Sequence, residues 1–367
     1  MLALRKLCSK LHSSHGLRNF GINIPPQAQI LGTPSNSLVD EKLQIQIKGL
    51  SPNAEHTLHL NMTNGLNLNY DSFTRFVSDK EGTIDLEKEA PVCNSYSKII
   101  DSMGIFRCLK HREGFSERIW SQDITRDMEC SLKVHVGDNP QEENKETLVG
   151  CSQFIRQTMG PGVKREVIND GRIVGTLFLP KEVQETDIQR PCIITLFGGV
   201  VKKKQPEDLA ALLASRGFAT LALAYFSAKG TPRKLYDNPI DLNYFEEAID
   251  YVQSRPEISG NGVGLWGISK GAEVSLCIAS QLGQKIKAVI CVNSITKLAL
   301  VPASYNGEEV VPMGNFGNPD FVPKFCGDDL YSLEGWNQDD PGVDDTTIPF
   351  GKSDAKIYFV VSTTRAS

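Results

Sequence analysis

Between residues 163 and 292, runs that consist almost entirely of apolar residues alternate with segments of helical periodicity. This alternation constrains the fold more than any other feature. Apolar strands separated by helices are typical of a mostly parallel sheet that is covered on both faces. We predict strands at 191–197, 218–225, 262–266, 286–292 and 356–361, and helices at 207–216, 242–254 and 272–282. A hairpin at 163–179, turning at Asn169-Asp170-Gly171, is expected to open this α/β domain.

The segment from residue 25 to 157 has a different pattern, in which apolar residues recur at every second position in short runs. Leu43, Ile45 and Ile47 form one such run, and turn-formers separate it from the next. Several short strands without long helices predict an immunoglobulin-like β-sandwich. We therefore expect a possible presequence at 1–22, a β-sandwich domain at 23–160 and an α/β domain at 163–367, with 292–353 rich in loops.

Net charge and cysteine spacing exclude several classes of function. The formal net charge of -5 gives no general attraction to polyanions, so no nucleic acid partner is expected. The nine cysteines contain no C-x-x-C pair, which predicts neither a metal site nor a disulfide framework. Cys192, Cys277 and Cys291 lie in apolar runs and are interpreted as buried. No cofactor is implied, no apolar stretch has the length of a membrane span, and the oligomeric state is left open.

The first 39 residues contain no Asp or Glu but carry Arg5, Lys6, Lys10 and Arg18. Leu4, Leu7 and Leu11 would lie on one face of a short basic helix, the pattern of a mitochondrial presequence. A basic tail without a targeting role is the alternative, which would leave the protein cytoplasmic or peroxisomal. The C-terminal Arg365-Ala366-Ser367 is not a clear peroxisomal signal.

The pentapeptide Gly267-Ile268-Ser269-Lys270-Gly271 has the form G-x-S-x-G, between a predicted strand and a predicted helix. In that setting the two glycines allow a sharp turn that exposes the serine hydroxyl, so Ser269 is the candidate nucleophile. The backbone amide of Lys270 and the Gly198-Gly199-Val200 turn could donate hydrogen bonds to an oxyanion. We assign Lys270, Gly199 and Val200 to this role, with an ordinary loop as the alternative for the glycine turn.

The other two members of a serine-hydrolase triad cannot be found at their usual places. The fold requires an acid and then a histidine after the serine. All six histidines precede Ser269: His12, His15, His56, His59, His111 and His135. Asp339, Asp340, Asp344 and Asp345 follow it but are interpreted as a solvated loop.

Several segments resemble one known family. They are Leu196-Phe197-Gly198-Gly199, residues 216–225, residues 243–248 and residues 264–271. Together they resemble the acyl-CoA thioesterases and bile acid-CoA:amino acid N-acyltransferases, an α/β-hydrolase family with an N-terminal β-sandwich. The resemblance extends to about Val361.

The resemblance implies an acyl-CoA substrate, hydrolysed to free fatty acid and CoA through an acyl-enzyme at Ser269. Bile-acid transferases of the family have cysteine at this position, so serine favours water as the acceptor. Lys202, Lys203 and Lys204 would then be candidates to hold CoA phosphates, although a solvated surface run is the simpler interpretation.

The resemblance also implies that a loop with the acid and a segment with the histidine follow the strand at 356–361. Residues 362–367 contain neither, so we expect a C-terminally truncated hydrolase domain with impaired activity. Three hypotheses remain open: a thioesterase, an acyl-CoA:amino acid N-acyltransferase, and a truncated product without catalytic activity.

Overall fold

The chain divides into two units, Met1–Thr158 and Met159–Ser367, in a computed structural model. The structure describes residues 28–92, 100–113, 123–137, 147–181, 188–198, 207–226, 228, 231–232, 238–299, 301–313, 324–325, 331–332 and 347–360. The predicted presequence at 1–22 therefore lies outside the described residues.

Two sheets with one shared apolar core form the first unit. Among the described residues, its strands are β1 (Gln29–Leu31), β2 (Asn36–Leu38), β3 (Gln46–Lys48), β4 (Glu55–Thr63), β5 (Asn69–Val77), β6 (Ile84–Asp85), β7 (Lys110–His111), β8 (Met128–Val136) and β9 (Leu148–Gln157), and its helix is α1 (Gly104–Arg107). One sheet has the order β1-β3-β6 and the other the order β2-β9-β8-β4-β5-β7. Ile45, Ile47 and Ile84 pack in the same cluster as Leu58 and Leu60 because alternate residues face inward. The unit is thus a β-sandwich, and its likeness to immunoglobulin domains stays a prediction.

The second unit alternates strands and helices. Its strands are β10 (Lys164–Asp170), β11 (Ile173–Leu179), β12 (Arg190–Leu196), β13 (Ala219–Ala224), β14 (Ile240–Asp241), β15 (Ile258–Ile268), β16 (Ile286–Val292), β17 (Ala303–Tyr305), β18 (Glu308–Val311), β19 (Lys324–Phe325), β20 (Tyr331–Ser332) and β21 (Lys356–Val360). The helices in the described part of this unit are α2 (Glu207–Ser215), α3 (Leu242–Gln253) and α4 (Lys270–Gln281).

A seven-stranded sheet with the order β10-β11-β13-β12-β15-β16-β21 forms the centre of this unit. The β10–β11 and β11–β13 pairs are antiparallel, and the five strands from β13 to β21 are parallel. Within β13 every residue is buried, as expected of a central strand covered on both faces. With the serine turn after β15, this is the α/β-hydrolase fold. β21 lies at the edge, and its Tyr358, Phe359 and Val360 are exposed.

The helices pack on the strands that precede or follow them in the chain: α2 on β13, α3 on β15, and α4 on β15 and β16. Asp241 caps α3, because its carboxylate accepts a hydrogen bond of 3.0 Å from the backbone N–H of Asn243. Buried residues of α3 and α4 join the same apolar core as the sheet. Within the part of the chain that the structure describes, no helix is long and apolar enough to cross a membrane.

A small sheet with the order β14-β17-β18 was not predicted, since 292–353 was expected to be rich in loops. Its hairpin turns at Asn306 and Gly307, both with positive φ of 53° and 81°. Such a pair is a strong signal for a two-residue hairpin turn. The strands beside it are short and contain Glu308 and Glu309, so their apolar alternation is weak.

Candidate active site

Ser269 lies in the turn that joins β15 to α4, with φ 53° and ψ −123°. Its backbone N–H donates to the Val292 carbonyl at 2.9 Å, and its carbonyl accepts from the Ala272 N–H at 2.8 Å. The hydroxyl makes no capping hydrogen bond to the helix. The backbone around the serine is therefore fixed, while its hydroxyl is not used to cap α4.

The two glycines of the motif are required by close backbone packing. A Cβ on Gly267 would lie 2.4 Å from the Ala272 Cα, and a Cβ on Gly271 would lie 2.2 Å from the Leu196 carbonyl oxygen. Both distances are far below van der Waals contact. The glycines thus let α4 start directly against the ends of β12 and β15, which is the arrangement of a nucleophile elbow.

Gly198 brings the end of β12 next to the serine. A Cβ on Gly198 would lie 2.9 Å from the Ser269 Cβ and 3.1 Å from its Oγ. The preceding residue, Phe197, accepts a hydrogen bond at its carbonyl from the Tyr225 hydroxyl. The predicted Gly199 and Val200 follow Gly198 directly but lie outside the described residues, as do Lys202, Lys203 and Lys204.

A buried ion pair lies on the first turn of α4, and sequence reasoning missed it. The Nζ of Lys270 donates to Glu273 Oε2 at 2.8 Å and also to the carbonyl of Ala299. The same Glu273 oxygen accepts from the Ala299 N–H at 2.9 Å. Burial raises the pKa of Glu273, and the Lys270 ammonium opposes this shift. The i,i+3 spacing of Lys and Glu was the available signal, but such pairs are usually exposed.

No described cysteine replaces the serine as a candidate nucleophile in the second unit. Cys192, Cys277 and Cys291 are buried, as the sequence predicted. Burial raises the pKa of the Cys192 and Cys291 thiols to about 12. Because the thiolate is the reactive form, these thiols are inert at neutral pH.

Two family models match most of the chain. The acyl-CoA thioester hydrolase/BAAT N-terminal region matches residues 40–170, and the BAAT/acyl-CoA thioester hydrolase C-terminal model matches residues 240–365. Acyl-coenzyme A thioesterase 1 of Mus musculus is 32% identical over 323 residues, which are 88% of this chain and 73% of that relative. The chain belongs to the acyl-CoA thioester hydrolase/BAAT family. The predicted resemblance is confirmed.

Other members of this acyl-CoA family are comparably similar. Acyl-coenzyme A amino acid N-acyltransferase 1 of Mus musculus is 37% identical over 289 residues, 78% of this chain and 66% of that relative. Acyl-coenzyme A thioesterase 2, mitochondrial, of Homo sapiens is 32% identical over 278 residues, 75% of this chain and 54% of that relative. The chain thus spans about two thirds of the length of the curated relatives it matches.

The described histidines, His56, His59, His111 and His135, all lie in the first unit. The Nε2–H of His59 donates to the Asp71 carboxylate at 2.7 Å, and this carboxylate also pairs with Arg112 at 2.7 Å. These contacts hold His59 within its own sandwich. Asp339, Asp340, Asp344 and Asp345 lie outside the described residues. The described part of the candidate site therefore comprises the ends of β12 and β15 and the start of α4.

Proposed function

We propose that this protein cleaves acyl-CoA thioesters through a covalent acyl-enzyme at Ser269. The Oγ attacks the thioester carbonyl, the carbon–sulfur bond breaks, and CoA leaves as its thiol after a base has taken the hydroxyl proton. Water then attacks the acyl ester, which releases the fatty acid and restores the serine. The observation that carries the proposal is the turn at Ser269, in which the strained backbone lies against Gly198.

Two backbone amides are proposed to stabilise the oxyanion. The amide of Lys270 begins α4, where unpaired N–H groups and the helix dipole favour negative charge. The amides of Gly199 or Val200 would supply the second donor, because they follow Gly198 at the serine. Lys202, Lys203 and Lys204, which come shortly after Val200 in the sequence, are proposed to interact with CoA phosphates.

Replacement of Ser269 by cysteine tests the nucleophile directly. A cysteine thiol is intrinsically nucleophilic enough to exchange with a thioester. Ser269→Cys should therefore take the acyl group from octanoyl-CoA and form a stable acyl-thioester. Peptide mass mapping should find one octanoyl group on residue 269. The matched control is Ser280→Cys, on the same helix, which should remain unmodified. Equal acylation of both cysteines, or of neither, would overturn the assignment of Ser269.

Transfer of the acyl group to an amino acid is the second candidate function. It is favoured by the 37% identity to acyl-coenzyme A amino acid N-acyltransferase 1 of Mus musculus. In this reaction an amine, rather than water, attacks the acyl-enzyme. Incubation with octanoyl-CoA and either glycine or taurine separates the two functions, because hydrolysis gives octanoate and transfer gives the N-octanoyl conjugate.

We further propose a mitochondrial location. The acid-free, basic start of the chain supports it, as does the similarity to acyl-coenzyme A thioesterase 2, mitochondrial, of Homo sapiens. A cytoplasmic or peroxisomal location is the alternative.

A further inference from the structure

A cavity of about 240 Å³ lies between the segment that follows β13 and the first turn of α3. Its lining includes five buried side chains with large apolar surfaces: Tyr225, Phe226, Ile240, Tyr244 and Phe245. Neighbouring aromatic rings pack at 5.0 to 5.7 Å between centroids, which holds this wall in place. A concave apolar surface with a fixed wall is a typical site for an apolar ligand group.

The polar ends of the two tyrosines are already engaged by the protein. The Tyr225 hydroxyl donates to the Phe197 carbonyl, and the Tyr244 hydroxyl donates to the Ala224 carbonyl. Burial raises the pKa of Tyr244 to about 12, so this phenol stays neutral at physiological pH. Both side chains therefore offer the cavity mainly their rings.

The charges at the rim compensate one another. Arg172 pairs with Asp241 at 2.9 Å and with Glu247 at 2.7 Å, and both carboxylates are half exposed. Asp241 also caps α3. A guanidinium held by two carboxylates gives little net attraction to an anion such as a CoA phosphate. The cavity is suited to a neutral, apolar group.

One side chain connects this cavity to the serine. Tyr225 lines the cavity and holds the Phe197 carbonyl, and the next residue, Gly198, lies against Ser269. Tyr225 therefore links the wall of the cavity to the residue that precedes the neighbour of Ser269.

We propose that this cavity holds the distal, apolar end of the acyl group whose carbonyl reacts at Ser269. The inference rests on the proposed function, since it assigns the chain-length preference of that same site. The cavity is smaller than the range of about 300–1,000 Å³ typical of whole-ligand sites. It therefore receives only the end of a medium-length chain, while the carbons next to the carbonyl span the distance from Ser269.

The test compares two substitutions of Ile240 in a Ser269→Ala background, which prevents turnover. Ile240→Phe fills the cavity and Ile240→Val, the matched control, slightly enlarges it. Binding of butanoyl-, octanoyl- and dodecanoyl-CoA is measured by titration calorimetry, together with n-octanol, which carries no CoA.

Each buried methylene contributes up to about fourfold in affinity. Ile240→Phe should weaken dodecanoyl-CoA and n-octanol at least about tenfold and leave butanoyl-CoA within about twofold. Ile240→Val should change none of them by more than about threefold.

The outcomes separate this inference from the proposed function. Acyl-CoA binding with the same chain-length profile in both variants would overturn the cavity assignment and leave the proposed function standing. Binding of n-octanol that Ile240→Phe removes, without binding of any acyl-CoA, would overturn the acyl assignment together with the proposed function. If Ile240→Phe does not fold, Phe226→Leu replaces it, and this enlarged cavity should shift the preference toward longer chains; an unchanged preference would overturn the inference.

Discussion

At the residue scale, the backbone of Ser269 is unusual for its side chain. The other described non-glycine residues with positive φ are Asn53, Asn67, Asn293 and Asn306, a residue type that tolerates this region. Ser269 combines its φ of 53° with ψ −123°, outside the left-handed helical region. Such conformations cost about 1–3 kcal/mol and persist only where the surroundings impose them. The strain is consistent with a residue placed for chemistry rather than for stability.

This strain predicts that the serine position prefers glycine. Ser269→Gly should be more stable than Ser269→Ala by about 1 kcal/mol, because glycine adopts positive φ without steric cost. Urea unfolding followed by tryptophan fluorescence, to which Trp266 on β15 contributes, measures the difference. Equal stability of the two variants would contradict the strain.

The pair of Lys270 and Glu273 gives a second residue-scale prediction. Lys270→Met should lower the free energy of unfolding by about 3–5 kcal/mol, because it leaves the buried Glu273 without its cation. The double variant Lys270→Met/Glu273→Met should recover most of this loss. Lys285→Met is the control, since its partners Glu246 and Asp250 are more exposed and their loss should cost about 1 kcal/mol or less. A single Lys270 variant as stable as this control would contradict the prediction.

At the scale of elements, the sequence predicted the sheet well and the loops poorly. The strand predicted at 286–292 is β16, Ile286–Val292, and the helix predicted at 242–254 is α3, Leu242–Gln253. These elements bury long apolar runs, so periodicity alone locates them. The spacing of Lys270 and Glu273 indicated a pair but not its burial, because the Ala299 backbone that bonds to both side chains lies in a loop distant in sequence. The cavity depends equally on tertiary packing around Tyr225.

His135, on strand β8, should make the stability of the protein depend on pH. Burial lowers the pKa of His135 to about 4, with smaller effects from His59 and Lys133. The unfolded chain has the ordinary pKa near 6.5, so it binds a proton first as the pH falls. The free energy of unfolding should therefore fall by about 1–3 kcal/mol as the pH is lowered from 6.5 to 4. His135→Gln cannot be protonated and should flatten this part of the pH profile in urea unfolding. An unchanged slope would show that His135 does not titrate there.

At the scale of the whole molecule, the described histidines lie in the first unit and Ser269 lies in the second. A serine hydrolase that loses a triad member keeps only about 10³ to 10⁴-fold acceleration over water. Ser269→Ala should therefore slow thiol release from octanoyl-CoA by at least about a thousandfold. An unchanged rate in this variant would contradict a role for Ser269 in turnover.

Targeting is also a property of the whole chain. Residues 1–39 fused to a fluorescent reporter should direct it to mitochondria, because a basic amphipathic helix responds to the import machinery and the membrane potential. The control replaces Arg5, Lys6 and Lys10 by glutamine and should remain cytosolic. A cytosolic distribution of the unchanged fusion would exclude a presequence.

The contacts of Gly267 and Gly271 have a consequence for how the motif is interpreted in other chains. Any side chain at either position would collide with backbone atoms at 2.4 Å or less, whether or not the protein turns over a substrate. Selection for folding alone would keep both glycines after catalysis had been lost. The spacing G-x-S-x-G therefore follows from how a helix is joined to a strand. A relative of an enzyme that had lost its activity would still contain it.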